Sequence, residues 1–195
     1  MAAIVLAAGS GRRFGGGKLM APWAGGVLLE GALNAAFSAP VSVVVVVTGA
    51  DDRIATAARD FAERIGAAAA LKVVNADDHD EGMAASLRTG VSALPADCGG
   101  AFIFLGDMPS IPPEILPQLA RALNEGATAA APLFKGERGH PVLLSRRLFE
   151  AVLALKGDQG ARAVLADLGG DLVMIPSENS GVIFDVDHPE ALIAP

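Results

Sequence analysis

A chain of 195 residues is long enough for one domain with its own core, so neither a disulfide nor a metal staple is required. With 52% hydrophobic and 19% charged residues it is not a disordered chain, and a net charge of −7 excludes the basic footprint of a nucleic-acid or anionic-membrane surface. The single cysteine, Cys98, excludes an internal disulfide and fits a reducing compartment, so a cytoplasmic location is expected.

The first element is a short apolar run, residues 2–7, read as a strand. It has no basic leader before it, so a secretory signal is not expected. After a glycine-rich segment comes a helical stretch, 28–38, and then the strand 42–47, whose aliphatic core is far too short to cross a bilayer. Asp51 or Asp52 caps a helix over 52–65. A strand at 71–74, a helix at 82–94 and a strand at 101–105 follow. Cys98 falls in the loop before that last strand and is read as a bystander, because no catalytic motif surrounds it. These strands are continuous apolar runs without a period of two, as expected of strands buried on both faces of a parallel sheet.

Beyond Pro112-Pro113 the pattern gives a helix over 114–124 and apolar segments at 127–134 and 141–144. Helices near 146–155 and 159–168 and strands at 172–175 and 182–184 complete the chain. The alternation predicts a three-layer, doubly wound, mostly parallel α/β sheet, with ligands beyond the carboxyl ends of the strands. Three such ends carry candidate motifs: Ala8-Gly9, Asn75 and Gly106-Asp107. One domain over 1–195 is expected, with a nucleotide-binding half to about residue 110 and an acceptor half from about 111.

Leaving the first strand, Leu6-Ala7-Ala8-Gly9 leads through Gly11, Gly15, Gly16 and Gly17, with Arg12, Arg13 and Lys18 and no acid between Gly11 and Lys18. Glycine permits positive φ and lets backbone N–H groups approach an anion, and the cations suit a triphosphate. Lys18 is read as a surface lysine. A Walker A loop fails on spacing, because Arg12 stands where glycine is needed and Leu19 where Ser or Thr is needed. The dinucleotide fingerprint fails as well, since Gly9, Gly11 and Gly15 stretch it by one residue. With no tyrosine in the chain, a Tyr–Lys dehydrogenase dyad is impossible.

Gly106-Asp107-Met108-Pro109 places an aspartate at a strand's carboxyl end, where it could hold Mg²⁺ against phosphate oxygens or simply form a turn. Asp185 and Asp187 follow another apolar segment, and Asp187 could equally cap a short helix opened by Pro189.

Together these blocks resemble the MobA-like nucleotidyltransferases, nearly end to end. The likeness rests on Leu6-Ala7-Ala8-Gly9 with Arg12, Gly15 and Lys18, and on the run from Glu81 through Gly82, Met83 and Ser86 to Arg88. Gly106-Asp107-Met108-Pro109, Arg138-Gly139-His140-Pro141, the run from Gly157-Asp158 to Arg162, and Asp185-Val186-Asp187-His188-Pro189-Glu190 extend it. Within that superfamily the chain is most similar to the molybdenum cofactor cytidylyltransferase group, departing from it at Met108, usually Gln, and His188, usually Thr.

The resemblance implies a Rossmann-like nucleotidyltransferase fold and a Mg²⁺-dependent enzyme. It would move CMP from CTP to a phosphorylated, molybdenum-pterin acceptor, with a molybdoenzyme as protein partner. Arg12 and Lys18 would stabilise phosphate charge, with Asp107 and Asp187 as the metal ligands. Leu6, Ala7, Ala8, Gly9 and Gly11 would line the phosphate loop, and Asn75, Gly82 and Ser86 would sit against base and ribose. Arg138, His140, Asp158 and Arg162 would receive the acceptor, although Gly157-Asp158 could equally be a helix-capping turn. Ala8, where guanylyl-transferring relatives tend to have glycine, favours CTP over GTP. The alternatives are a GTP-using or phosphosugar or alcohol-phosphate nucleotidyltransferase, and a non-catalytic nucleotide sensor or cofactor chaperone, which has no need of paired metal aspartates.

Overall fold

In this computed structural model, which describes residues 1–9, 14–49, 51–166 and 168–193, the N-terminal apolar run is the centre of the sheet. Strand β1 (Ala2–Ala7) is flanked in parallel by β4 (Val43–Thr48) and β6 (Gly100–Leu105). On one side β5 (Leu71–Asn75) extends the sheet in parallel beyond β4. On the other side β9 (Val142–Ser145) enters antiparallel between β6 and β7 (Ala129–Phe134), and β10 (Leu172–Pro176) pairs parallel with β7 at the edge. Both halves of the chain therefore contribute to one sheet, ordered β10-β7-β9-β6-β1-β4-β5.

Burial explains why the strands lack a period of two. Ala3, Val5 and Ala7 of β1 pack with α1 (Leu28–Ser38), α2 (Asp52–Arg64) and α4 (Ile115–Asn124). Ile4, between them, faces α3 (Met83–Ser92), α5 (Phe149–Leu153) and α6 (Ala161–Leu165). Each face buries its own apolar cluster, so both sets of alternating side chains must be apolar. The result is the expected three-layer, mostly parallel α/β architecture. The predicted cap is present, with the Asp51 side chain accepting from the Arg53 N–H at 3.1 Å.

Several expectations are corrected. Residues 182–184 do not form a strand. The Asn179 side chain accepts from the Gly181 N–H at 2.8 Å and opens a 3-10 turn, Ser180–Val182, in which Ile183 N donates to the Ser180 carbonyl. Local bonds thus satisfy groups that a ladder would otherwise need. The helices expected at 146–155 and 159–168 shrink to α5, preceded by a 3-10 turn, and α6. Two small hairpins carried no strong sequence signal. One pairs β2 (Pro22–Trp23) with β3 (Gly26–Val27), and the other folds β8 (Glu137–Arg138) onto β7. Both turn through two positive-φ residues, Ala24-Gly25 and Lys135-Gly136, rather than the Asn-Gly or Asp-Gly that marks such turns. Among the described residues no helix is long and apolar enough to cross a membrane.

Candidate active site

Because β1, β4, β5 and β6 are parallel, their carboxyl ends lie along one border of the sheet. A cleft of about 510 Å³ opens beyond β1 and β6, within the size range of small-ligand sites. Leu6, Ala8, Gly9, Lys18, Asp107 and Asp187 line one part of it, and His79, Asp80, Gly82, Met83, Ser86 and Asp158 line another. A smaller recess of about 300 Å³ adjoins it behind Gly17, sharing Ala8, Gly9, Lys18, Leu19 and His79.

The glycine-rich loop takes the conformation its composition permits, with Gly15, Gly16 and Gly17 at φ values of 89°, 94° and 65°. Gly17 in the left-handed region leads into a 3-10 turn, Lys18–Met20, that carries Lys18 into the cleft. Gly11 and Arg12, both expected site residues, lie outside the described residues, as does Arg13.

Lys18 corrects an expectation. It is not a surface lysine but only 9% exposed, and its Nζ lies 2.7 Å from Asp107 Oδ2 and 3.1 Å from Asp187 Oδ1. Burial alone would lower its pKa, but the hydrogen bonds and charges of Asp107, then Asp187, outweigh it and hold the ammonium above its usual value. Backbone bonds fix both carboxylates. Gly106 N donates to the Leu6 carbonyl at 3.0 Å, anchoring the turn that carries Asp107, and Val186 N donates to the Asp107 carbonyl at 3.1 Å. Gly31 of α1 lets that turn sit down, since a Cβ there would stand 2.5 Å from Pro109. Trp23 of the β2–β3 hairpin stacks at 6.1 Å on Phe184, bracing the segment just before Asp185. Asp185 itself is exposed; desolvation of its carboxyl, with the charges of Asp187 and Asp107, raises its pKa.

Ser86, on α3, is buried, and Gly82 at φ 110° opens that helix. A Cβ on Gly82 would meet Asp158 Oδ1 and the Gly157 carbonyl, and Ala84 N donates to that same carbonyl at 3.0 Å. The Gly157-Asp158 loop of the second half therefore closes against the first turn of α3, and Asp158 lines the cleft beside Gly82. Asn75 instead donates to Asp77 at 2.6 Å and is absent from the cleft wall.

Arg138 on β8, His140 and Arg162 are likewise absent from that wall, though His140 feels the charge of Asp107 on it. Burial, then repulsion from Arg162, lowers the Arg138 pKa. Burial also lowers that of His140, against the opposing pull of a bond to the Ile103 carbonyl and the charge of Asp107. Sequence reasoning missed His79, Asp80 and Arg53. The charged run Asp77-Asp78-His79-Asp80-Glu81 ahead of Gly82 was a usable signal for the first two. Arg53, held by both oxygens of Asp51 at 2.8 and 2.7 Å, lies over Gly17 only because α2 is folded back against the loop.

Among the described residues no group of three or more metal-ligating side chains is present. Asp107 and Asp187 nevertheless share one cation, the Lys18 ammonium. Two carboxylates that already share one cation are a donor set that a hard divalent ion would fit.

Comparison with known proteins adds three likenesses to a family match. Residues 3–172 match the family model described as the MobA-like NTP transferase domain. The molybdenum cofactor cytidylyltransferase of Escherichia coli (strain K12) is 28% identical, over 97% of this chain and 92% of its own length. The purine catabolism protein PucB of Bacillus subtilis (strain 168) is 31% identical, over 96% and 91%. A solved nucleotidyl transferase from Methanothermobacter thermautotroptrophicus superposes with a TM-score of 0.75 at 26% identity, over 97% and 93%.

Proposed function

The chain belongs to the MobA-like NTP transferase family, and we propose that it transfers CMP from CTP to the phosphate of a molybdenum-pterin cofactor in the cytoplasm, with release of pyrophosphate. The observation that carries this reading is the buried Lys18 shared by Asp107 and Asp187 on the floor of the cleft. The 28% identity to the cytidylyltransferase supports the choice of acceptor.

In the reaction an acceptor phosphate oxygen attacks the α-phosphorus of CTP. The new P–O bond forms as the α–β anhydride bond breaks, and the electron pair leaves with pyrophosphate. Such a displacement needs positioning and charge neutralisation more than covalent help. Asp107 and Asp187 would hold Mg²⁺, which supplies neutralisation of the phosphate charge when bound. Lys18, released from the two carboxylates, turns its ammonium to the phosphates. Gly9 and the glycine run offer backbone N–H groups beside it. Gly82, Ser86 and Asp158 bound the part of the cleft assigned to base and ribose. Arg138, His140 and Arg162 are assigned to the acceptor, His140 within reach of the Asp107 charge. Ala8, 6% exposed and facing the cleft, narrows it against a purine.

Pyrophosphate release, measured with each nucleoside triphosphate and with molybdenum-pterin, phosphosugar and alcohol-phosphate acceptors, tests the reading. CTP with the molybdenum-pterin acceptor is expected to give the fastest release, and Asp107→Asn and Asp187→Asn should each weaken the Mg²⁺ dependence. Equal or better use of GTP refutes the base assignment. Nucleotide binding without release for any pair refutes transfer and leaves a cofactor-handling protein.

A further inference from the structure

Arg88 stands midway along α3, away from Lys18 and the two aspartates, yet its guanidinium joins two loops that border the cleft. Its Nη2 donates to Asp78 Oδ2 at 2.7 Å and reaches Glu81 Oε2 at 3.5 Å, while Nη1 donates to the Leu155 carbonyl at 2.8 Å. The side chain is 24% exposed, so these bonds are partly shielded from water. Asp78 precedes the 3-10 turn His79–Glu81, which sets His79 and Asp80 on the cleft. Leu155 leads into Gly157-Asp158, and Asp158 closes on Gly82 from the other side.

We infer that Arg88 is a positioning residue for the nucleotide, fixing how far the 155–158 loop stands from the 78–82 turn. This rests on the nucleotide reading given above. The planar fork is what the task requires: its N–H groups diverge, so one side chain can serve a carboxylate and a carbonyl on different loops. A lysine keeps the charge but not the divergent donors. Removing the fork leaves the Leu155 carbonyl short of a donor and Asp78 unpaired, and both loops are then free to shift.

The test compares the full-length wild type with Arg88→Ala, Arg88→Lys and Asp78→Asn. Hydrogen exchange of the unliganded proteins should accelerate at both 78–84 and 155–160 in Arg88→Ala, and at 78–84 in Asp78→Asn. CTP binding by calorimetry should weaken by about tenfold or more in Arg88→Ala, and less in Arg88→Lys, while kcat stays within about threefold. A role in stability alone would lower the melting temperature and leave CTP affinity unchanged below it. Should Arg88→Ala not fold, Asp78→Asn, at a loop position whose side chain is 41% exposed, carries the same expectation for binding. Unchanged exchange in both segments, or CTP affinity within about twofold of wild type in folded Arg88→Ala, overturns the inference. A wild type that binds no triphosphate overturns the nucleotide reading, and the exchange data then decide the bracing by themselves.

Discussion

At the scale of single residues, Lys18 has two duties that respond differently to its removal. It neutralises two carboxylates in the unliganded protein and is assigned to phosphate charge in the reaction. Lys18→Ala should lower turnover roughly 10²-fold or more, the usual cost of losing a charge-stabilising donor. It should also destabilise the unliganded fold by about 1–2 kcal/mol, less than for a fully buried pair because Asp187 is 40% exposed and solvent screens it. Divalent metal should restore most of that stability, and thermal melts with and without Mg²⁺ would read it. His140 gives a pH-dependent counterpart. Burial depresses its pKa in the folded chain, so between the unfolded value near 6.5 and the lower folded value only the unfolded chain takes up a proton. The stability gained from neutral His140 is full above about pH 6.5 and is lost as pH falls toward the folded pKa, at no more than about 1.4 kcal/mol per pH unit. Melting temperature should therefore fall more steeply from pH 7.5 to 5.5 in wild type than in His140→Gln, and parallel profiles would refute this.

Among the elements, the first turn of α3 and the loop before α6 are fitted to each other through two glycines of different kinds. Gly82 has φ 110°, and a Cβ there would press on backbone at Gly157. Gly160 has an ordinary φ of −94°, and a Cβ there would meet only the flexible end of Met83, itself 45% exposed in the cleft. Gly82→Ala should cost on the order of 1–3 kcal/mol and weaken nucleotide binding, whereas Gly160→Ala should cost under about 1 kcal/mol. Denaturant melts of the two variants side by side check the contrast, and equal losses would contradict it.

For the molecule as a whole, the antiparallel entry of β9 between β6 and β7 decides how the halves depend on each other. Residues 1–110 contain β1, β4, β5 and β6 but leave β6 without its β9 partner, one face without α4 and the other without α5 and α6. An exposed apolar strand edge is an aggregation hazard rather than a stable boundary. We therefore propose a single folding unit, and residues 1–110 expressed alone should show no cooperative thermal transition by circular dichroism. A sharp, reversible melt of that fragment would divide the chain into two domains.

Much was legible before folding because it depends on local chemistry. Continuous apolar runs marked strands buried on both faces, the glycines after the first of them marked a loop of positive φ, and Asp107 stands just past a strand end as expected. Local bonding around Asn179 turned residues expected to be a strand into a 3-10 turn, and Ala24-Gly25 and Lys135-Gly136 made hairpins that composition did not announce. Only the tertiary structure buried Lys18, because the aspartates that hold it lie 89 and 169 positions away in sequence, and only their convergence makes a buried ammonium tolerable. It likewise set Asp158 beside Gly82 and Arg88 between two loops, contacts that follow from where parallel strands end and cannot be read from spacing along the chain.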